Sequence, residues 1–398
     1  MTRNKLKIWL VSESVFWKAQ TYVIDYAENI SKKESFTIEW RFIPWVNLWN
    51  ELTLAFKAKN PPDIFEIGSS WISTFAEMNF LAPISIPLRE DYVNDWTLKI
   101  STLNNEKIAV PWYLDLSILV GRKDILTESG INYNNFNFGT FFETCKKLGE
   151  NYLPLGFSFR PEPSLLHNLM PFFWNNGYEF PNFSKGNFKI FTDRNFIDSL
   201  LYIANLWQNS KMPKTVAFAD YFSIQEAFFR ESGFVFFITH WLPDFLNFFN
   251  TEKTSNTFDI FDFPEGIAGS YQWGGGSFLA ISSLSRKKDI CYEFIKHFVS
   301  DDFLIQKMKK EGKFSPYKGL YDKIDTPNIK KIKNLIKNSK TYPQHPLWFS
   351  IEKFLYKGLS EILWNLIDNP VFGSEIENIA EKWDKNLNKL FDIKWGIM

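Results

Sequence analysis

Two cysteines in 398 residues, Cys145 and Cys291, are too few and too far apart for a disulfide scaffold, a zinc site or a redox motif. Both are expected to be ordinary buried thiols. Histidine is also scarce, with four in the chain, and no HExxH metal motif occurs. GxSxG, a dinucleotide fingerprint and a P-loop are also missing, so no cofactor is expected. Net charge is absent, since 45 Lys plus Arg balance 45 Asp plus Glu. No whole-protein field therefore draws the chain to nucleic acid or an anionic membrane, and the expected partner is small or uncharged. No apolar run reaches the ~18 residues of a membrane span.

What the chain has is length, rings and alternation. At 398 residues it suggests two domains, each able to bury its own core. Its 42 Phe accompany abundant Lys, Ile and Asn, the pattern of a biased genome composition, so most of these rings are expected in the core. Trp is not enriched by such a bias. Sixteen of them, several beside polar residues, point to surfaces built from flat rings with a polar edge.

Along the chain, KLKIWLVSES reads as a strand, FWKAQTYVIDYAENISKKE as an amphipathic helix and FTIEWRFIPW as a strand. NLWNELTLAFKAKN reads as a helix closed by PP, DIFEIGSS as a strand and WISTFAEMNF as a helix. This alternation predicts a mostly parallel sheet with helices on both faces, which binds ligands at the carboxyl ends of its strands. A second group follows residue 124: helices over 137–152, 164–177, 193–212 and 223–232, strands at 153–163 and 233–241, and a Gly-rich segment opening onto another apolar strand. DICYEFIKHFVSDDFLIQKMKKEG is predicted as one long helix, and the remainder as helices with solvated, lysine-rich faces. VPWYLDLSILVGRKDIL interrupts an otherwise apolar strand with Pro111, two aromatics and Asp115.

Four segments in register, NPPDIFEIGSSWISTFAEMNFLAPI, IAVPWYLDLSILVGRKDILTESGI, FVFFITHWLPDFL and GGGSFLAISSLSRKKDICYEFIKHFVSDDF, resemble the extracellular solute-binding proteins of bacterial sugar ABC importers, the maltose-binding-protein-like group. The resemblance implies an α/β, two-lobe periplasmic-binding-protein-like fold, each lobe a mostly parallel sheet flanked by helices, joined by a three-segment hinge. The first lobe would comprise residues 1–112 plus 270–315 and the second 116–265 plus 319–398, with crossings near 111–116, 264–271 and 314–319. It further implies a monomer that binds a carbohydrate ligand and docks on ABC transporter permease subunits.

Carried over residue by residue, the resemblance places Asp115 where the family holds a sugar-binding carboxylate and Glu162, in RPEP, on a cleft loop of the second lobe. Trp241 takes the place of a stacking tryptophan, with His240 beside it read as a strand-end polar group. Ser69, Ser70 and Trp71 follow the third strand, where a helix start exposes unpaired N–H groups. Trp273 with Gly274, Gly275 and Gly276 re-enters the first lobe, the glycines allowing close backbone approach. Trp17, Trp45, Trp112 and Tyr113 are candidate cleft rings. A buried neutral sugar needs carboxylates and amides for its hydroxyls and rings for its C–H faces, which is this set. One departure is Ser70 and Trp71, standing where maltose-binding protein has an acid and an arginine, so maltose itself is not implied.

Alternatives stay open. MTRNKLKIWLVSES shows no leader pattern, so the expectation is the outer face of the envelope if a leader was trimmed and the cytoplasm if the sequence is complete. The latter would suit a sugar sensor of the same fold. An enzyme would rest on Asp115 paired with Glu162 as in a glycosidase. The stacking assignment predicts that Trp241→Ala weakens sugar binding at least ~tenfold without unfolding the chain. Unchanged affinity in calorimetry would remove Trp241 from the site.

Overall fold

The computed structural model describes residues 4–12, 17–33, 36–85, 91–92, 95–183, 187–230, 233–239, 252–324 and 329–392. The first lobe begins as the alternation predicts: β1 (Asn4–Val11), α1 (Trp17–Lys33), β2 (Phe36–Ile43), α2 (Trp45–Lys57) and β3 (Ile64–Gly68). A 3₁₀ turn (Ser69–Trp71), α3 (Ile72–Glu77), α4 (Asp95–Ser101) and a small hairpin, β4 (Thr102–Leu103) and β5 (Glu106–Lys107), lead to β6 (Val110–Leu116). The chain then enters a second sheet with β7 (Ile118–Arg122), α5 (Lys123–Glu128), α6 (Phe138–Leu148), β8 (Leu153–Gly156) and α7 (Pro163–Asn175). Then come α8 (Arg194–Asn209), α9 (Lys214–Phe218), α10 (Tyr221–Phe229), β9 (Phe234–Thr239), α11 (Glu252–Thr257) and β10 (Phe258–Phe261). β11 (Gln272–Ile281) returns to the first sheet, followed by α12 (Lys288–Phe298), α13 (Asp301–Glu311), α14 (Ile329–Lys337), β12 (Ser339–Lys340), α15 (Trp348–Leu366) and α16 (Ser374–Asp392).

The first sheet runs β12-β11-β3-β1-β2, with β6 also on β11, and the second runs β10-β7-β9-β8. β1 is parallel to β2 and β3, as alternating strands and helices require, but β11 is antiparallel to β3 and β6. In the second sheet β7 is antiparallel to β9 and β10, and β8 and β9 are parallel. The expected mostly parallel sheets are therefore mixed. The reversed strands are those adjoining the crossings, where a chain arriving from the other lobe enters its sheet from the opposite end.

The predicted long helix over 289–312 is two, α12 and α13. They break at Ser300, whose side chain accepts from the Phe303 N–H, and Asp301 and Asp302 complement the new helix start. Cys145 and Cys291 are both buried and unbridged, and burial raises both thiols. Among the described residues no helix is long and apolar enough to cross a membrane.

The C-terminal helix is tied to the second lobe by a carboxylate. Asp384 of α16 accepts from the backbone N–H groups of Ile190 (2.9 Å), Phe191 (3.0 Å) and Thr192 (3.1 Å) and from the Thr192 hydroxyl (2.6 Å). Removing the acceptor strands buried donors. Asp384→Ala should cost roughly 3 kcal/mol in urea unfolding. A loss under ~1 kcal/mol would mean that ring packing, not the carboxylate, holds this loop.

Candidate functional site

The carboxyl ends of β1 and β3 are fastened by a buried acid. Glu66 accepts from the Tyr113 hydroxyl (2.8 Å) and the Ser277 hydroxyl (2.5 Å) on one oxygen and from the Val11 N–H (2.8 Å) on the other. β1, β3, β6 and β11 are thus held together at one level. Burial pushes its carboxyl up, against the lowering influence of Lys307 and these donors. Just beyond Glu66, β3 ends and the 3₁₀ turn presents Ser69, buried, then Ser70 and Trp71, both half-buried.

Trp71 is the centre of a ring wall. The rings of Trp45 and Trp49, from the first turns of α2, both lie 5.3 Å from it, edge to face. Trp49 also stacks on Phe349 of α15 at 3.5 Å and 12°. The last turns of α15 belong with the second lobe, where the Ser360 hydroxyl donates to the Phe159 carbonyl and Trp364 packs on Phe159 and Phe218. The wall therefore spans both lobes. Beside it, the Ser70 hydroxyl donates to Glu352 of α15 at 3.5 Å.

A second ring contact crosses nearer the strand crossings. Trp273, the second residue of β11, stacks on His167 of α7 at 4.0 Å and 12°. His167 Nδ1 is 2.7 Å from the Tyr342 hydroxyl, and the Tyr342 ring stacks on Trp348. Gly275 permits this, because a Cβ there would lie 2.5 Å from the Trp273 ring. The glycine makes room for the ring to fold back along its own strand.

Other predicted residues fall into distinct places. Asp115, half-buried on β6, pairs with Lys313 at 3.3 Å, and Lys313 also lies over the Tyr113 ring at 4.5 Å. Tyr113 is buried, its hydroxyl on Glu66. Glu162 holds the N-cap position of α7 and accepts from the Ser164 hydroxyl at 2.8 Å. Trp112 is 2% exposed and packs between Phe298 and Phe303, with Lys307 over its ring at 4.0 Å. The expectation that it is a cleft ring is corrected: its ring is buried in the helix layer of the first lobe, 5.7 Å from the Tyr113 ring, with Lys307 lying over both. Trp17 opens α1, but its side chain, like Trp241 and His240, lies outside the described residues.

Sequence reading missed Trp49, His167, Tyr342, Trp348, Phe349 and Glu352. The signal was present in LWFSIE, where rings at Trp348 and Phe349 precede Glu352 by one helical turn. Its lysine-rich surroundings read as a solvated surface. Among the described residues no cluster of His, Cys, Asp and Glu could hold a metal ion. What the two walls offer is ring faces, hydroxyls and carboxyls, the chemistry of recognition.

Two sheets joined by crossing strands, with rings and polar groups gathered between them, define a two-lobed binding protein. The profile of the bacterial extracellular solute-binding proteins matches residues 22–303, and the chain belongs to that family. It is 24% identical over 321 residues to the diacetylchitobiose binding protein DasA of Streptomyces coelicolor, covering 75% of this chain and 70% of that one. Among solved structures, maltose-bound MalE3 of T. maritima superposes with a TM-score of 0.80 at 17% identity, covering 97% of this chain and 99% of that one. The sugar-binding protein MalE of Xanthomonas citri gives 0.79 at 17% identity, covering 98% and 100%. At these identities the structural matches establish the fold.

Gly276 has a steric reason to be glycine. Its φ is 149°, and a Cβ would stand 2.2 Å from the Tyr113 carbonyl oxygen of β6. Gly276→Ala should therefore destabilise the protein by roughly 3 kcal/mol or more. A variant with unaltered melting temperature but weakened ligand binding would instead make Gly276 a ligand contact.

Proposed function

We propose that the protein captures a neutral sugar or oligosaccharide between its lobes by hinge closure and delivers it to the permease subunits of an ABC importer. It does so as a monomer at the outer face of the cell envelope and without catalysis. The observation that carries this reading is the ring wall of Trp45, Trp49 and Trp71 with Phe349 of the other lobe, beside the Ser70 hydroxyl. Flat rings match the C–H faces of a pyranose, and hydroxyl and carboxyl groups match its hydroxyls. A site shared by both lobes favours the closed form only when ligand touches both.

The first lobe is assigned residues 1–112 with 270–315 and the second 116–265 with 319–398, except that β12 lies in the first sheet beside β11 and Gly319 and Lys323 still bond first-lobe residues Asp91 and Asp301. Ligand contacts are assigned to Trp45, Ser69, Ser70, Trp71, Asp115, Glu162, Trp273 and Gly275, with Trp17 and Trp241. Tyr113 and Gly276 support the site from behind, through Glu66 and the β6–β11 pairing. The names of similar proteins supply first candidates: one binds diacetylchitobiose, another was solved with maltose. The pairing of Asp115 with Lys313 supports Asp115 as an ionised acceptor for ligand hydroxyls.

A thermal-shift screen against maltodextrins and chitooligosaccharides, with amino acids, peptides and polyamines as controls, tests the reading. A ligand at about a hundred times its dissociation constant should add ~2.7 kcal/mol, a shift of a few degrees. Trp71→Ala should then weaken the responding sugar at least ~tenfold in calorimetry. If only a non-sugar solute shifted the transition, the sugar assignment would fall.

A further inference from the structure

The chain carries no net charge, but its cations are unevenly placed. At the opposite end of β3 from the 3₁₀ turn lies a pocket of about 230 Å³. Three segments remote in sequence converge on it: Lys7 of β1, Lys59 and Asn60 after α2, and Arg286 with Lys287 before α12. Four cations thus face one carboxylate, Asp63. Among the described residues no aromatic ring lines the pocket, and it is smaller than the ~300 Å³ at which ordinary ligand pockets begin, so it is no second sugar site.

Asp63 is already saturated. It is buried, its Oδ1 accepts the Ser285 hydroxyl at 2.7 Å, and its Oδ2 accepts the Lys7 N–H at 2.9 Å and the Lys287 ammonium at 3.0 Å. The Lys7 ammonium donates to the Asn60 carbonyl oxygen at 2.6 Å and keeps two donors to spare. Lys59 and Arg286 are exposed, and among the described residues neither side chain has a partner. Glu39 of β2 does not restore the balance, because it is paired with Lys5 at 2.6 Å. Its carboxyl is held below the usual range first by that bond and further by the charges of Lys5, Lys7 and Lys287. At the start of α12, Lys287 offers no side-chain acceptor to the first N–H groups, and the first-turn acid Asp289 is exposed and outside the lining. A positive field therefore remains over the pocket.

We propose that this pocket is an anion site, separate from the cleft, that takes a phosphate group. The Arg286 guanidinium supplies the planar fork that matches two phosphate oxygens, and Lys59 and Lys7 supply point charges on either side. Asp63 is the positioning group: it holds the Lys287 ammonium and the Lys7 backbone, and so fixes two of the three converging segments. A compact anion of more than one charge suits four convergent cations better than a single carboxylate does. Two sources carry such a group, a soluble phosphate ester and the phosphate of an anionic lipid headgroup. The site uses first-lobe residues alone, so its occupation leaves the cleft unobstructed.

The test uses the full chain at low ionic strength, where exposed charges are least screened. Calorimetry with inorganic phosphate and glycerol phosphate is set beside sedimentation with vesicles of phosphatidylcholine, with and without phosphatidylglycerol. The expected result is that at least one phosphate probe binds, and that Lys59→Gln combined with Arg286→Gln weakens it at least ~tenfold with the melting temperature unchanged. Lys385→Gln combined with Lys389→Gln, exposed positions of α16 in the second lobe, should leave it intact. Heat with the soluble probes and equal sedimentation with both vesicles assigns the site to a phosphate ester, whereas sedimentation that needs phosphatidylglycerol assigns it to a headgroup. If no probe binds, if binding survives in the pocket variant, or if the α16 variant loses as much, the proposal is overturned. None of these outcomes depends on which solute the cleft takes.

Discussion

Everything in the first lobe that faces the second depends on β11 lying flush between β3 and β6. All ten of its residues are buried, and it pairs antiparallel with both neighbours, Ser277 standing opposite Gly68 on one side and Tyr113 on the other. The register shift after Ser277 and the left-handed φ of Gly276 let β6 approach closely enough for the Tyr113 hydroxyl to reach Glu66. Without that approach Glu66 would be a buried carboxyl short of a donor. The same strand sends Trp273 across to His167, so its position is felt in the second lobe.

The contact between lobes differs in kind from the cores within them. Each sheet is closed by continuous backbone pairing and buried aliphatic and aromatic side chains, whereas the contacts between lobes include stacked rings, the Ser70–Glu352 and Ser73–Gln344 hydrogen bonds, the Lys340–Glu179 ion pair and the crossings themselves. Ring pairs of this type contribute about 1 kcal/mol each beyond their buried area. A seam built from a few such contacts holds without locking, and a solute entering it can replace what it displaces. The charges near the crossing are paired: Lys313 with Asp115, and Lys307 with Glu311, which also accepts from Tyr22. Pairing keeps these partly buried ions from opposing closure.

Much of this was readable in the chain. Alternating strand and helix patterns from KLKIWLV to WISTF correspond to β1 through α3, and Ser70, Trp71 and Trp45 do gather at the carboxyl end of the first sheet. Trp112 and Tyr113 read as exposed cleft rings, yet both are buried, Trp112 against Phe298 and Phe303 of the packed helices α12 and α13 and Tyr113 with its hydroxyl on Glu66. Apolar spacing carries through Ser300 as through a helix interior, although the two acids after it are a start signal.

Local patterns by themselves determined the element order, the balance of charge and the ring-rich composition, because helix and strand periodicity and capping act over a few residues. Strand direction, the face each ring presents and the protonation of buried acids were decided by tertiary structure. The reason is distance along the chain: Ser70 and Glu352 are 282 positions apart, and Glu66 and Ser277 are 211 apart. Whether a carboxyl is solvated or neutral depends on which remote segment comes to lie over it, and no short-range pattern encodes that.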